Sequence, residues 1–384
     1  VLYTSVLQTP ILLLGSLIIL VLGFKELGGW DEMMRVCGAV TVNDYGDTMT
    51  NLIRSNDDAN FPWLGALIGS AIIGFWYWCT DQFIVQRVLS GKNEKEARRG
   101  TIFGAYLKLL PVFLFLIPGM IAFALHQKYI GAGGEGFLPM LANGTANADA
   151  AFPTLVAKLL PAGVKGLVVC GILAALMSSL ASLFNSSAML FTIDFYKRFR
   201  PETPEKKLVG IGQIATVVIV ILGILWIPIM RSVGDVLYTY LQDVQSVLAP
   251  GIAAAFLLGI CWKRTSAQGG MWGLIAGMII GLTRLGAKVY YSNAGEVADS
   301  TFKYLFYDMN WLFFCGWMFL FCIIVVIVVS LATEAPTAEK IQGLVFGTAT
   351  KEQKAATRAS WDHWDIIHTV IILAITGAFY WYFW

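Results

Sequence analysis

Between residues 163 and 193 an otherwise apolar run is interrupted by Ser178, Ser179, Ser182, Asn185, Ser186 and Ser187. On a helix, positions 178, 182 and 185 follow an i, i+4, i+7 pattern and form one polar stripe. Hydroxyl and carbonyl oxygens are the hard, neutral ligands that suit sodium, and such a site requires no carboxylate. Small hydroxyl residues also let helices pack closely and hydrogen-bond across their interface. The residues alone leave both readings open.

A second cluster is Trp76-Tyr77-Trp78-Cys79-Thr80-Asp81-Gln82, followed by Gln86 and Arg87. A carboxylate beside three aromatics inside an apolar run needs a cavity or a cationic partner. Aromatic faces with polar hydrogen-bonders nearby are also how proteins hold sugars, whose C–H faces stack on rings. An interfacial aromatic belt with a snorkelling Arg87 accounts for the same residues. Lys108 lies in Tyr106-Leu107-Lys108-Leu109-Leu110-Pro111. It could bond a substrate hydroxyl, pair with Asp81, or snorkel to an interface. Gln242 and Asp243 precede Gln245, Ser246 and Pro250-Gly251, and a helix broken there would free backbone groups that protein or water must satisfy. Gly269, Gly273, Gly277 and Gly281 recur every fourth residue, which reads as a helix-packing face without chemistry.

The elements that carry these groups are helices in lipid. Of 384 residues, 57% are hydrophobic and 14% charged, with mean hydropathy +0.68, whereas soluble domains carry about 25% charge. A net charge of +2 provides no field for nucleic acid. Thirteen Trp, 14 Tyr and 24 Phe exclude a disordered chain. Cys37, Cys79, Cys170, Cys261, Cys315 and Cys322 form no C-x-x-C pair and read as buried small hydrophobes. His126, His363 and His368 lie near the ends of apolar runs, and there is no H-E-x-x-H, P-loop or G-x-S-x-G. No enzyme site emerges.

A spanning helix needs about 20 mostly apolar residues. Nine stretches qualify: 3–24, 62–86, 101–125, 163–193, 208–230, 236–261, 269–291, 311–332 and 365–384. Pro10, Pro111, Pro118 and Pro250 within them predict tilted or broken helices. Lys and Arg concentrate in the loops 87–100, 194–207, 262–268 and 333–363, whereas 126–162 and 231–235 are poor in them. The 25–61 loop has three basic and seven acidic residues. This alternation places Val1 on the cytoplasmic side and the aromatic Phe379–Trp384 segment on the outer side. The chain opens at Val1 without a charged n-region, so the reading expects an N-terminal part to be missing. Asn143-Gly144-Thr145 fits a glycosylation sequon.

The run Trp76-Tyr77-Trp78-Cys79-Thr80-Asp81-Gln82-x-Ile84-Val85-Gln86-Arg87 resembles the sodium/glucose cotransporters of the solute:sodium symporter family. The resemblance continues through Tyr106-Leu107-Lys108, Pro118-Gly119-Met120, Ala174–Leu180, Phe184-Asn185-Ser186, Phe191-Thr192-x-Asp194-x-Tyr196 and Phe256-Leu257-Leu258-Gly259-x-x-Trp262-Lys263-Arg264. It covers nearly the whole chain, less clearly 25–61 and 335–363. It implies an all-α polytopic membrane protein with a LeuT-like inverted-repeat fold. About nine of fourteen transmembrane helices would be present, in a single transporter domain over residues 1–384. By resemblance, sodium would bind the Ala175 carbonyl and the Ser178 and Ser179 hydroxyls. Tyr77 would stack under the sugar with Trp78 beside it, and Lys108 and Gln242 would hydrogen-bond its hydroxyls.

The implied activity is sodium-coupled symport of a glucose- or galactose-type monosaccharide across a plasma or inner membrane, with the lipid bilayer as its setting. Symport of inositol or an amino acid, and a sugar-gated sensor or leak channel, are the alternatives. Departures from the family pattern sharpen the expectation. Ser5 stands where two-sodium members carry Asp, and Ala181 stands where they carry a hydroxyl, although Ser182 remains. One sodium per sugar is therefore expected. Gly74 falls where relatives often present Asn or Thr to the substrate, and Asp243 stands where a neutral residue is usual.

Overall fold

The computed structural model describes residues 2–141, 144–233, 237–293 and 298–383. Val1, Asn143 of the sequon and Trp384 lie outside these, as do the side chains of Tyr3, Thr4, Ser5 and Arg231. Seventeen α-helices run through the described residues. In chain order they are α1 (Leu2–Leu27), α2 (Trp30–Gly38), α3 (Trp63–Cys79), α4 (Gln82–Leu89), α5 (Glu94–Pro111) and α6 (Ile117–Gly131). Then come α7 (Ala151–Leu159), α8 (Ala162–Met189), α9 (Lys197–Phe199), α10 (Glu205–Val233), α11 (Leu237–Cys261) and α12 (Ala267–Asn293). The last five are α13 (Thr301–Lys303), α14 (Trp311–Ala332), α15 (Ala338–Ile341), α16 (Lys351–Ala359) and α17 (His363–Tyr382). Among the described residues β-structure is limited to isolated bridges such as Thr41 with Thr48.

Eight helical stretches are long and apolar enough to cross a membrane, and α3 with α4 makes a ninth if the bent pair is one span. All nine expected stretches are accounted for. Two of the four prolines break nothing: Pro10 and Pro250 lie inside the continuous helices α1 and α11, so the break expected at Pro250-Gly251 does not occur. At Pro111 and Pro118, α5 and α6 join into a 38-residue stretch whose Val112–Leu116 turn widens to π. Pro118 lacks the N–H that would return to residue 114, so the wider turn absorbs the missing bond. Leu190–Tyr196 and Tyr304–Asp308 are also π turns. The first prolongs the α8 span to Phe199, beyond the boundary expected at 193.

The chain divides into two compact units, residues 1–51 with 104–229, and residues 52–103 with 230–384. In the first, α1 packs on α8, α6 and α7 around Ile19, Ile121, Leu125, Leu155 and Val168. Gly171 of α8 faces Ile11 of α1 closely enough that a Cβ would stand 3.0 Å from its Cγ2. Beyond α6, the Nδ1 atom of buried His126 accepts the Leu138 N–H at 3.0 Å. Lys158 Nζ donates to the Phe137 carbonyl at 2.7 Å, tying the 136–158 segment down.

In the second unit α11 and α14 pack on each other and on both α3 and α12, and α3, α11 and α14 meet through Ile72, Ile73, Ala249, Ala253, Leu312 and Cys315. The glycine ladder is the packing face expected of it. Gly269 and Gly273 lie against Val326 of α14, Gly277 against the Gly251 backbone, and Gly281 against the Val247 carbonyl. Cys37, Cys315 and Cys322 are buried as expected, but Cys79, Cys170 and Cys261 are exposed. These three lie on outward faces of apolar helices, where a thiol meets lipid as readily as a core. Cys37 donates to the Met120 carbonyl across 3.7 Å, and burial pushes its thiol up to about 11.

Candidate functional site

The serine-rich segment is one continuous helix, α8, in the first unit. Ala175 precedes Ser178 by three residues and Ser179 by four, so all three share one face one turn apart. Ser178 is half-buried and Ser179 exposed. The stripe continues along Ser182 and Ser186, both buried, and not along Asn185, which is exposed. Ser182 Oγ donates to the Ser178 carbonyl at 3.2 Å, and Ser186 Oγ to the Ser182 carbonyl at 2.9 Å. These two hydroxyls are spent on their own helix. Ser178 and Ser179 lie one turn N-terminal to the first of the two serines whose hydroxyls bond back along the helix.

Tyr77 and Trp78 end α3 in the second unit. Tyr77 is half-buried and Trp78 exposed, with ring centroids 5.3 Å apart and planes at 87°. The span breaks directly after them. Thr80 Oγ1 donates to the Trp76 carbonyl at 2.8 Å, and α4 departs at 50°. Asp81 initiates α4 by accepting the Phe83 N–H at 3.0 Å. The carboxylate expected to need a cavity or a cation is thus an N-cap, with backbone N–H groups and the helix dipole supplying its stabilisation.

Gln242 lies near the start of α11, beside α3 in the same unit, and its Nε2 donates to the Tyr238 hydroxyl at 2.9 Å. Asp243 follows, and the structure gives it the partners that the sequence did not reveal. Arg284 Nη2 and Lys288 Nζ of α12 each stand 3.2 Å from one of its oxygens. Arg284 is fully buried. Its signal in the sequence was a lone arginine inside the apolar 269–291 stretch, a residue that pairs by default in such a place. Lys108 is exposed on α5 and belongs to the first unit. The expected sugar-side residues Tyr77, Trp78 and Gln242 therefore share one unit, and Ala175, Ser178, Ser179 and Lys108 the other. Among the described residues no group of three His, Cys, Asp or Glu could hold a metal ion.

Residues 1–277 match the model of the sodium:solute symporter family. The chain is 35% identical over its whole length to a sodium/mannose cotransporter from Bos taurus, covering 68% of that protein. It is 35% identical to sodium/myo-inositol cotransporter 2 from Homo sapiens over 91% of the chain, and 37% identical to sodium/glucose cotransporter 1 from Ovis aries over 87%. It spans 53% of the length of each of these last two. These relatives are transporters, as the lack of an enzyme motif anticipated. The neutral oxygens of α8, the broken aromatic span of α3 and α4, and the polar start of α11 all fall within the matched residues, and the chain is an all-α, multi-pass membrane protein that belongs to the sodium:solute symporter family.

Proposed function

We propose that the protein to which this chain belongs couples sodium entry to the uptake of a small polyhydroxylated solute, most simply a glucose- or galactose-type monosaccharide. The observation that carries this reading is the placement of Ala175, Ser178 and Ser179 on one face of α8, inside the family match. Their oxygens would hold one sodium ion. The ring of Tyr77 would stack on the solute with Trp78 at its flank, and Gln242 and Lys108 would hydrogen-bond its hydroxyls. The two units would belong to a single transporter domain with an inverted-repeat core. It would work by alternating access in a plasma or inner membrane, with the Lys- and Arg-rich loops in the cytoplasm.

One charge crossing about 100 mV supplies about 2.3 kcal/mol, and a tenfold sodium gradient adds about 1.4 kcal/mol. Together these permit roughly 500-fold accumulation, so a single ion is enough for scavenging. Inositol is the second reading of the solute. It is supported by the similarity to a sodium/myo-inositol cotransporter, and Gly74, one helical turn before Tyr77 and Trp78, leaves the choice between these solutes open.

The test is uptake of labelled glucose, galactose, mannose and myo-inositol by the full-length protein in proteoliposomes, with and without an inward sodium gradient. Sodium-driven accumulation above the outside concentration, with a Hill slope near one for sodium, is the expected result. Solute-evoked current without accumulation would replace symport by a gated leak.

A further inference from the structure

α12 carries Arg284 and Lys288 four residues apart on one face. Two like charges in that register repel, yet both converge on one carboxylate of α11. Arg284 Nη2 is 3.2 Å from Asp243 Oδ1, and Lys288 Nζ is 3.2 Å from Oδ2. The guanidinium is held on its other sides too. Nη2 donates to the Met309 carbonyl at 2.8 Å, and Nη1 stands 3.5 Å from the Leu305 carbonyl. Its Cζ lies 4.1 Å from the centroid of the Phe314 ring. A single side chain with 0% exposure thus joins α11, α12, the start of α14 and the π turn before Met309.

Arg284 is out of reach of water, so losing its carboxylate would be costly, and this pairing restricts how far α11 can turn about its own axis. Gln242 is the residue before Asp243, about 100° round the same helix. Any turn that moved Asp243 off its two cations would swing Gln242 with it. Both carboxylate oxygens face cations of α12, so Asp243 acts through its neighbour and not on the solute.

We infer that Asp243, clamped by Arg284 and Lys288, is a positioning residue that sets the direction in which Gln242 meets the transported solute. The inference rests on the solute-binding role of Gln242 given above.

The experiment is a double-mutant cycle in the full-length protein, reconstituted and assayed with the four labelled solutes at saturating sodium for KM, and over a sodium series at fixed saturating solute for the sodium activation constant. The variants are Gln242→Ala, Asp243→Asn and the two combined. Asp243→Asn is expected to raise the solute KM about 10-fold while leaving the sodium activation constant unchanged, as misplacement of a binding group does. The double variant is expected to be no worse than Gln242→Ala, because the group being positioned is already gone. If the two effects instead multiply, or if sodium activation moves with the solute KM, Asp243 is only a structural member and the inference falls. If Gln242→Ala leaves KM unchanged, the solute-binding role of Gln242 falls first, and this inference with it. Should Asp243→Asn not fold, Lys288→Gln removes the outer arm and keeps the Arg284 pair. A rise in KM of about 3-fold, absent in the Gln242→Ala background, is then expected. No rise overturns the inference.

Discussion

Two apolar regions accommodate polar side chains in opposite ways. In α8 they are neutral hydroxyls, and the buried ones, Ser182 and Ser186, bond to carbonyls one turn back on their own helix. In α11 and α12 they are full charges, and Asp243 meets its two cations across the contact between the helices. The difference is one of cost. A hydroxyl in hydrocarbon can be served locally, by a carbonyl one turn back on its own helix. A buried guanidinium has no local remedy and must be paired at all times. The serine stripe suits a site that is filled and emptied, and the charged cluster suits a fixed joint.

The sharpest way to break this contrast is to remove the carboxylate. Asp243→Ala leaves Arg284 buried without its anion and should cost about 3–5 kcal/mol, read as a drop in the thermal unfolding midpoint of the detergent-solubilised protein. A loss below about 1 kcal/mol would place the cluster with ordinary surface pairs.

Packing should separate the regions next. A Cβ on Gly277 would stand 3.0 Å from the Gly251 Cα, whereas one on Gly166 of α8 would meet nothing within 4 Å. Gly277→Ala is expected to cost about 1–3 kcal/mol by overpacking. Gly166→Ala should be neutral or stabilising by up to about 1 kcal/mol. Equal unfolding midpoints for the two variants would show that the ladder is not a close contact.

The hydroxyls give a smaller and purely functional effect. Ser179→Ala should raise the sodium activation constant at least tenfold, about 1.4 kcal/mol, with little change in the unfolding midpoint. Ser182→Ala should leave sodium activation alone and cost about 0.6 kcal/mol of stability. Reversed outcomes would move the ion site down the helix.

The smallest effect lies outside the spans. Desolvation opposes ionisation of Asp362, but the Trp364 and Asp365 N–H groups, then Arg99 and Lys95, outweigh it and hold its carboxyl below the usual aspartate range. A carboxyl lowered in the fold stabilises fully above its unfolded value, and that contribution is lost as pH falls through the folded value. The unfolding midpoint should therefore be insensitive to this group at neutral pH and fall in acid. Asp362→Asn should flatten that acid limb, and an unchanged limb would assign it to other carboxylates.

Much of this was legible before any fold was known. Eight of the nine apolar stretches coincide with helices long and apolar enough to cross a membrane, and 62–86 with the bent pair, because transfer of side chains into lipid is a property of local composition. The glycines at 269, 273, 277 and 281 fixed their packing face, since a four-residue period needs only helix geometry. The family resemblance rested on short runs such as Trp76–Arg87, and the match over residues 1–277 bears it out.

Other features depended on which helices meet. Asp81 read as a buried charge in need of a partner, and became the cap of a new helix only because the chain turns at Thr80. The i, i+4, i+7 pattern carried the serine stripe on to Asn185, but packing exposes Asn185 and buries Ser186 in its place. Asp243 had no account at all until α12 brought Arg284 and Lys288 against it, 41 residues along the chain from the first of these. What composition and period set is the cost of each residue in lipid, which is local and additive along a helix. What tertiary structure alone decided is which charge neutralises Asp243, because that energy depends on groups coming within a few ångströms of each other, and its partners sit on another helix.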